Sequence, residues 1–112
     1  MSIGKELLKG STATLILSVL LEQELYGYQI VHLIEVRSGG AFALKEGTLY
    51  PLLHLLEKQG YLESYRRESE AGRERRYYKI TDEGKQYYIL RLKEWQAFST
   101  AVNTVLEGGN NE

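Results

Sequence analysis

Apolar residues fall at helical spacing in some stretches of this chain and at alternate positions in others. From Ser11 to Glu22 the residues are apolar on nearly every face, with Ser11 placed as a cap. That predicts a central, buried helix; the β-branched content would also suit a strand, but the length favours helix. A second helix is expected from near Tyr26 to Arg37, with Tyr28, Ile30, Val31 and Ile34 inward. Ser38-Gly39-Gly40 closes it, because glycine accepts the left-handed conformation that ends helices. Ala41 to Lys45 is then a connector, partly extended. In the third helix Leu49, Leu52, Leu53 and Leu56 follow i, i+3, i+4, i+7 spacing and make one buried stripe. Its start is expected near Thr48, with Pro51 in the first turn where a missing N–H costs nothing, and Gly60 stops it.

Alternation then replaces helical spacing. Tyr61 to Glu68 and Arg73 to Ile80 read as two strands joined by the turn Ser69-Glu70-Ala71-Gly72. Thr81 opens a last helix as its cap, with Asp82 and Glu83 at the positive end of the dipole, and the pattern continues to about Glu107. Along it Trp95, Phe98, Val102 and Val105 recur at spacings of three and four, with Tyr88 one heptad before Trp95 and Leu92 between them. A long helix with an apolar seam, placed after a complete domain, has no core of its own to bury against. Its expected partner is a second copy of the chain. The predicted fold is therefore mainly α with a small β-wing. A winged helix-turn-helix covers 1–80, a carboxy-terminal dimerisation helix covers 81–107, and 108–112 is a disordered tail.

Composition narrows this picture. A chain of 112 residues holds one core. Its 43% hydrophobic and 26% charged content is that of a globular domain. The absence of Cys excludes disulfides, thiolate metal sites and a cysteine nucleophile together. No apolar run approaches the roughly 18 residues that a membrane span needs, and Met1 to Glu6 lacks the order of a signal peptide. A cytoplasmic location without membrane contact is expected.

The net charge of -1 argues against a chain that coats nucleic acid indiscriminately. From Tyr65 to Lys79, however, Arg66, Arg67, Arg73, Arg75, Arg76 and Lys79 outnumber Glu68, Glu70 and Glu74, so positive charge is focused on the hairpin. A helix followed closely by a basic two-stranded ribbon is the layout of a DNA reader. The leucine stripe leaves Thr48, Tyr50, Pro51 and His54 on the outer face as candidate readers in the major groove, with Lys45 and Tyr28 as contacts to the DNA backbone. Arg73, Arg75 and Arg76 are the wing candidates; alternation puts Arg73 and Arg75 on one face and Arg76 with Tyr78 on the other. Tyr77 and Tyr78 read as packing residues. Tyr50 fits either a DNA contact or packing on a neighbouring helix. Trp95, with Phe98, fits either a dimer anchor or a platform for a flat aromatic ligand across a two-fold axis.

Catalysis has little to stand on. The chain has only His32 and His54 as histidines, no glycine-rich phosphate loop and no carboxylates at metal-ligand spacing, so no enzyme activity, cofactor or metal is expected. A winged helix used for protein–protein contact is the alternative, and Glu57, Glu63, Glu68 and Glu74 near the basic segment keep it open.

Four strings in order carry a family resemblance: Tyr26-Gly27-Tyr28-Gln29-Ile30, Glu46-Gly47-Thr48-Leu49-Tyr50-Pro51-Leu52-Leu53, Leu56-Glu57-Lys58-Gln59-Gly60 and Arg76-Tyr77-Tyr78-Lys79-Ile80-Thr81. Together they resemble the PadR family of bacterial transcriptional regulators, over nearly the whole chain from about Leu7 to Leu106. The single carboxy-terminal helix is similar to the compact branch of that family. The resemblance implies a homodimeric winged helix that binds a palindromic operator in double-stranded DNA and represses its own or neighbouring genes. It also implies, for some members, release by phenolic or flat aromatic effectors held between the two carboxy-terminal helices.

Overall fold

The computed structural model describes residues 10–108; the amino terminus and the expected tail from 109 onward lie outside the described residues. Helix α1 spans Thr12–Val19, with Ile16 and Leu17 wholly buried. It is shorter than the apolar run predicts. The Leu20 N–H turns back to the Leu17 carbonyl at 3.1 Å, tightening the last turn, and the chain leaves through exposed Glu22, Gln23 and Glu24. Ser11 holds the cap position, but its side chain makes no capping bond.

Leu25–Tyr26 forms a two-residue strand, β1, and leads directly into helix α2, Gly27–Arg37. Ile30 and Ile34 face the core and Val31 flanks them, but Tyr28 does not point inward as the pattern suggested; it is 68% exposed. Two residues of a helix are separated by about 200°, so Tyr28 and Ile30 lie on opposite faces.

Helix α3 is Glu46–Lys58, beginning two residues ahead of Thr48. Pro51 therefore lies inside the helix, and the expectation that it marks the first turn is corrected. The carbonyl that loses its partner belongs to Gly47, four residues earlier and exposed, where water can replace the bond. Leu49, Leu53 and Leu56 are buried and Leu52 is half-buried, so the leucine stripe holds. Gly60, at φ 87°, ends the helix as expected. The Tyr61 N–H returns to the Leu56 carbonyl at 2.9 Å and the Gly60 N–H to Glu57 at 3.0 Å, the paired closure of a Schellman motif.

Strands β2 (Leu62–Glu68) and β3 (Glu74–Ile80) form the hairpin, and β1 joins β3 to give an antiparallel sheet of order β1-β3-β2. The register runs from Leu62 opposite Ile80 to Glu68 opposite Glu74. Strand alternation then sorts the side chains. Leu25, Leu62, Tyr78 and Ile80 join the core, with Ser64, Arg66 and Arg76 further along the same face. Tyr26, Tyr65, Arg67, Arg75 and Tyr77 lie on the other face. Tyr77 is buried there, outside the main hydrophobic cluster. Tyr26 meets it edge-on at 5.3 Å, and the Arg67 guanidinium covers its ring at 3.9 Å. Tyr65, on the same face, donates to the Glu24 carboxylate, and that bond raises the phenol above its ordinary pKa.

Helix α4 runs from Asp82 to Glu107. Thr81 joins its start to the end of α3: its hydroxyl donates to the Gly60 carbonyl at 2.7 Å and accepts the Gly84 N–H at 2.9 Å. The first turns of α4 do have a core to bury against, which corrects the expectation for that part of the helix. Tyr87 stacks on Tyr61 at 4.2 Å, Tyr88 packs on the core, and Arg91 donates to the Gly10 carbonyl at 3.0 Å. Beyond Leu92 the large apolar side chains of the helix are exposed. The radius of gyration, 16.1 Å, exceeds the roughly 13 Å of a compact chain of about 100 residues, and the molecule is elongated, 61 × 31 × 22 Å. Among the described residues no helix is long and apolar enough to cross a membrane.

Gly84 is the tightest joint in this arrangement, since a Cβ there would overlap the Tyr61 carbonyl oxygen and crowd Ile80. Because the obstacle is backbone, Gly84→Ala should destabilise the fold by about 1–3 kcal/mol, measured by urea unfolding; an unchanged midpoint would show that α4 docks more loosely.

Candidate nucleic-acid interface

The buried leucines fix how α3 is rotated, and so fix what it shows to solvent. Thr48, Tyr50, Pro51 and His54 are all exposed on its outer side, with Lys58 further along. Lys45 occupies the cap position of α3, exposed, and no side chain caps the helix there. At α2 Tyr26 likewise supplies no side-chain cap, although the Gln29 side chain takes the Tyr26 N–H at 3.1 Å. Helix α4, by contrast, is capped by Thr81. The uncapped amino end of α3 keeps its dipole available to an anion.

Tyr50 connects the starts of α2 and α3. Its phenol lies so close to Gly27, the first residue of α2, that a Cβ at Gly27 would overlap the hydroxyl and the ring. Tyr50 thus reaches from the third helix to the start of the second while staying 44% exposed. It both packs and faces solvent, so the two readings of this residue are not exclusive. Tyr28, one position on, is also exposed and stacks with His32 at 6.1 Å.

The wing arginines are held in different ways. Arg75 lies half-buried over the Tyr26 ring at 5.1 Å, on the sheet face away from the core, and its Nε is buried without a hydrogen-bond partner. Arg76 is exposed on the core-side face and donates to the Ser64 hydroxyl at 2.9 Å. Arg66, opposite it, pairs with Glu74 at 3.3 Å, an exposed ion pair of little energetic weight. Arg73 sits in the turn, exposed. Tyr78 occupies the junction between sheet and α3. Burial pushes its phenol above the ordinary value, Arg76 pulls it back, and Glu57 and Tyr50 add to the rise. Tyr77 and Tyr78 are both packing residues, as expected.

The seam of α4 is distributed along the projecting segment. Leu92 is half-buried, Trp95 is 51% exposed, Phe98 62% and Val105 79%, with Val102 also exposed. Trp95 and Phe98 lie with ring centroids 6.1 Å apart. Tyr88 belongs to the chain's own packing, not to this free surface. Sequence reasoning gave no role to Gly27 or Ser64, and counted Glu57 only among the acids that favour a protein-binding wing. Only Gly27 left a usable signal, as a poor helix former at the first position of a helix, which hints at a close approach.

A helix with a solvent-facing polar amino end, set against a three-stranded sheet whose hairpin carries the arginines, is a winged helix-turn-helix of a DNA-binding regulator. Comparison with known proteins makes this specific. Residues 16–89 match the transcriptional regulator PadR-like family, and the chain belongs to that family. A transcriptional regulator of Clostridium thermocellum is 37% identical, with a TM-score of 0.81 over 88% of this chain and 96% of that one. A PadR-like transcriptional regulator of Bacillus cereus is 31% identical, with a TM-score of 0.79 over 91% and 97% of the two chains. An uncharacterized protein of Lysinibacillus sphaericus is 34% identical over 95% of this chain and 97% of its own length. Members of this family are DNA-binding transcriptional regulators, not enzymes.

The contact between Gly27 and Tyr50 separates DNA contact from stability. Gly27→Ala should push the Tyr50 phenol aside and weaken binding to a specific DNA duplex by about five- to tenfold with little change in melting temperature. Unchanged affinity would remove Tyr50 from the interface.

Proposed function

We propose that this regulator is a cytoplasmic homodimeric repressor that binds a palindromic operator. The observation that carries the reading is the shared exposure of the outer face of α3 and of the wing arginines beside it. In this reading Thr48, Tyr50, Pro51 and His54 enter the major groove, where the amino-terminal part of a recognition helix reaches base edges. Lys45, Tyr28 and the amino-terminal ends of α2 and α3 hold phosphates. Arg73 and Arg76 grip the backbone or the adjacent minor groove, while Arg75, held over Tyr26, adds mainly to the local field.

The projecting part of α4 pairs with the same helix of a second copy. Apolar residues in this number on a free helix are best covered by an identical surface, which a two-fold axis supplies. Leu92, Trp95, Phe98, Val102 and Val105 form that contact, and Tyr88 supports its base. Trp95 with Phe98 also offers a stacking surface for a planar aromatic or phenolic effector at the dimer axis.

Footprinting on the DNA upstream of the gene tests both parts. Two symmetric protected half-sites about one helical turn, or a small multiple, apart are expected, and a planar aromatic compound that quenches Trp95 fluorescence should erase them. A single unpaired footprint would contradict the dimer; a compound that releases the DNA without quenching would place the effector elsewhere.

A further inference from the structure

Glu57 stands where helix physics disfavours it. It lies in the last turn of α3, at the negative end of the dipole, where an acid is destabilising unless something compensates it. The compensation comes from the wing. The Ser64 hydroxyl donates to Glu57 Oε2 at 2.5 Å, and Arg76 Nη1 donates to the same Ser64 oxygen at 2.9 Å. A serine has one proton to give, so the order is forced: guanidinium to hydroxyl, hydroxyl to carboxylate. Glu57 and Ser64 are half-buried and Arg76 is exposed, so the chain runs from a partly shielded anchor on α3 to a cation at the surface.

The other arginines of the wing strands are tied within the sheet. Arg67 and Arg75 stack on Tyr77 and Tyr26, and Arg66 pairs with Glu74. Arg76 is linked instead to the helix whose outer face holds Thr48, Tyr50 and His54. Its described hydrogen bond uses one of five N–H donors, and the rest stay available to an outside acceptor.

We propose that Ser64 and Glu57 are positioning residues that fix Arg76 in register with the recognition helix, so that a wing cation and the α3 face meet DNA as one rigid unit. The proposal rests on the reading of Arg76 as a DNA contact. Its energetic basis is pre-organisation: a long, flexible side chain already held in its binding position loses less rotamer freedom on binding. The wing tip carries no such tether at Arg73, so the two arginines differ in kind. Arg73 supplies charge, and Arg76 supplies charge at a set place.

A double-mutant cycle on a duplex selected by the wild-type protein from a random pool tests this, with melting temperatures recorded alongside. Ser64→Ala and Arg76→Ala should each weaken binding about tenfold, and the double variant should bind no worse than Arg76→Ala alone. Ser64→Thr, which keeps the hydroxyl, should restore affinity. Glu57→Ala supplies a sign test independent of Ser64. Removing an acid near DNA raises affinity if only charge matters, whereas removing a positioning group lowers it. A rise with Glu57→Ala, or additive losses in the double variant, would overturn the positioning role while leaving Arg76 as a contact. If Arg76→Ala binds like the wild type, the contact itself is wrong and the positioning role falls with it, while the wild-type complex still stands as evidence of DNA binding.

Discussion

Burial of the α3 leucines is the constraint on which the rest depends. Leu49, Leu53 and Leu56 are almost wholly removed from water, and each such side chain contributes about 1.5–3 kcal/mol when buried. Rotating the helix to show a different face would expose all three at once. The outward direction of Thr48, Tyr50 and His54 therefore follows from packing and needs no ligand to set it. The same stripe seats α3 against the sheet, which brings Glu57 to Ser64 and Tyr50 to Gly27. The geometry of the outer face is thus a consequence of the core behind it.

A second feature is the way the helices start. Helix α4 carries its own threonine cap and is wedged against Tyr61 through Gly84, as suits an element that sets architecture. Helix α3 starts without a side-chain cap, as α1 does, while at α2 the Gln29 side chain accepts the Tyr26 N–H; Tyr50 brings the starts of α2 and α3 together. A side-chain cap contributes about 1 kcal/mol, and its absence at α3 leaves the amino end of that helix open to an anion. Charge is distributed just as unevenly. A chain of net charge -1 concentrates arginine on one hairpin, and stacking on Tyr26 and Tyr77 holds two of those arginines to the back of the sheet.

Much of this was legible in the sequence because it rests on local rules. The leucine spacing located the buried stripe, Gly60 located the helix end, and alternation located the hairpin and separated Arg75 from Arg76. Other features depend on partners far apart in the chain. The strand Leu25–Tyr26 is only two residues long and exists because β3 offers an edge, so no local pattern marks it. Pro51 misled, since its position inside α3 is tolerated through the exposed Gly47 carbonyl, a matter of solvent access and not of spacing. An inward Tyr28 follows only from a hydrophobic count that ignores the half-turn between it and Ile30. The link from Arg76 through Ser64 to Glu57 requires knowing how the helix lies on the sheet, and the early turns of α4 found a core that the pattern alone did not supply.

The central claim is that α3 and the wing act on DNA as a single charged surface, and the salt dependence of binding measures it most directly. Log affinity should fall steeply with log salt for the wild type, and Arg73→Ala or Arg76→Ala should make the slope shallower by about one unit for each phosphate that is no longer neutralised. Slopes identical to the wild type in both variants would contradict the account, because the wing would then lie outside the DNA-binding surface.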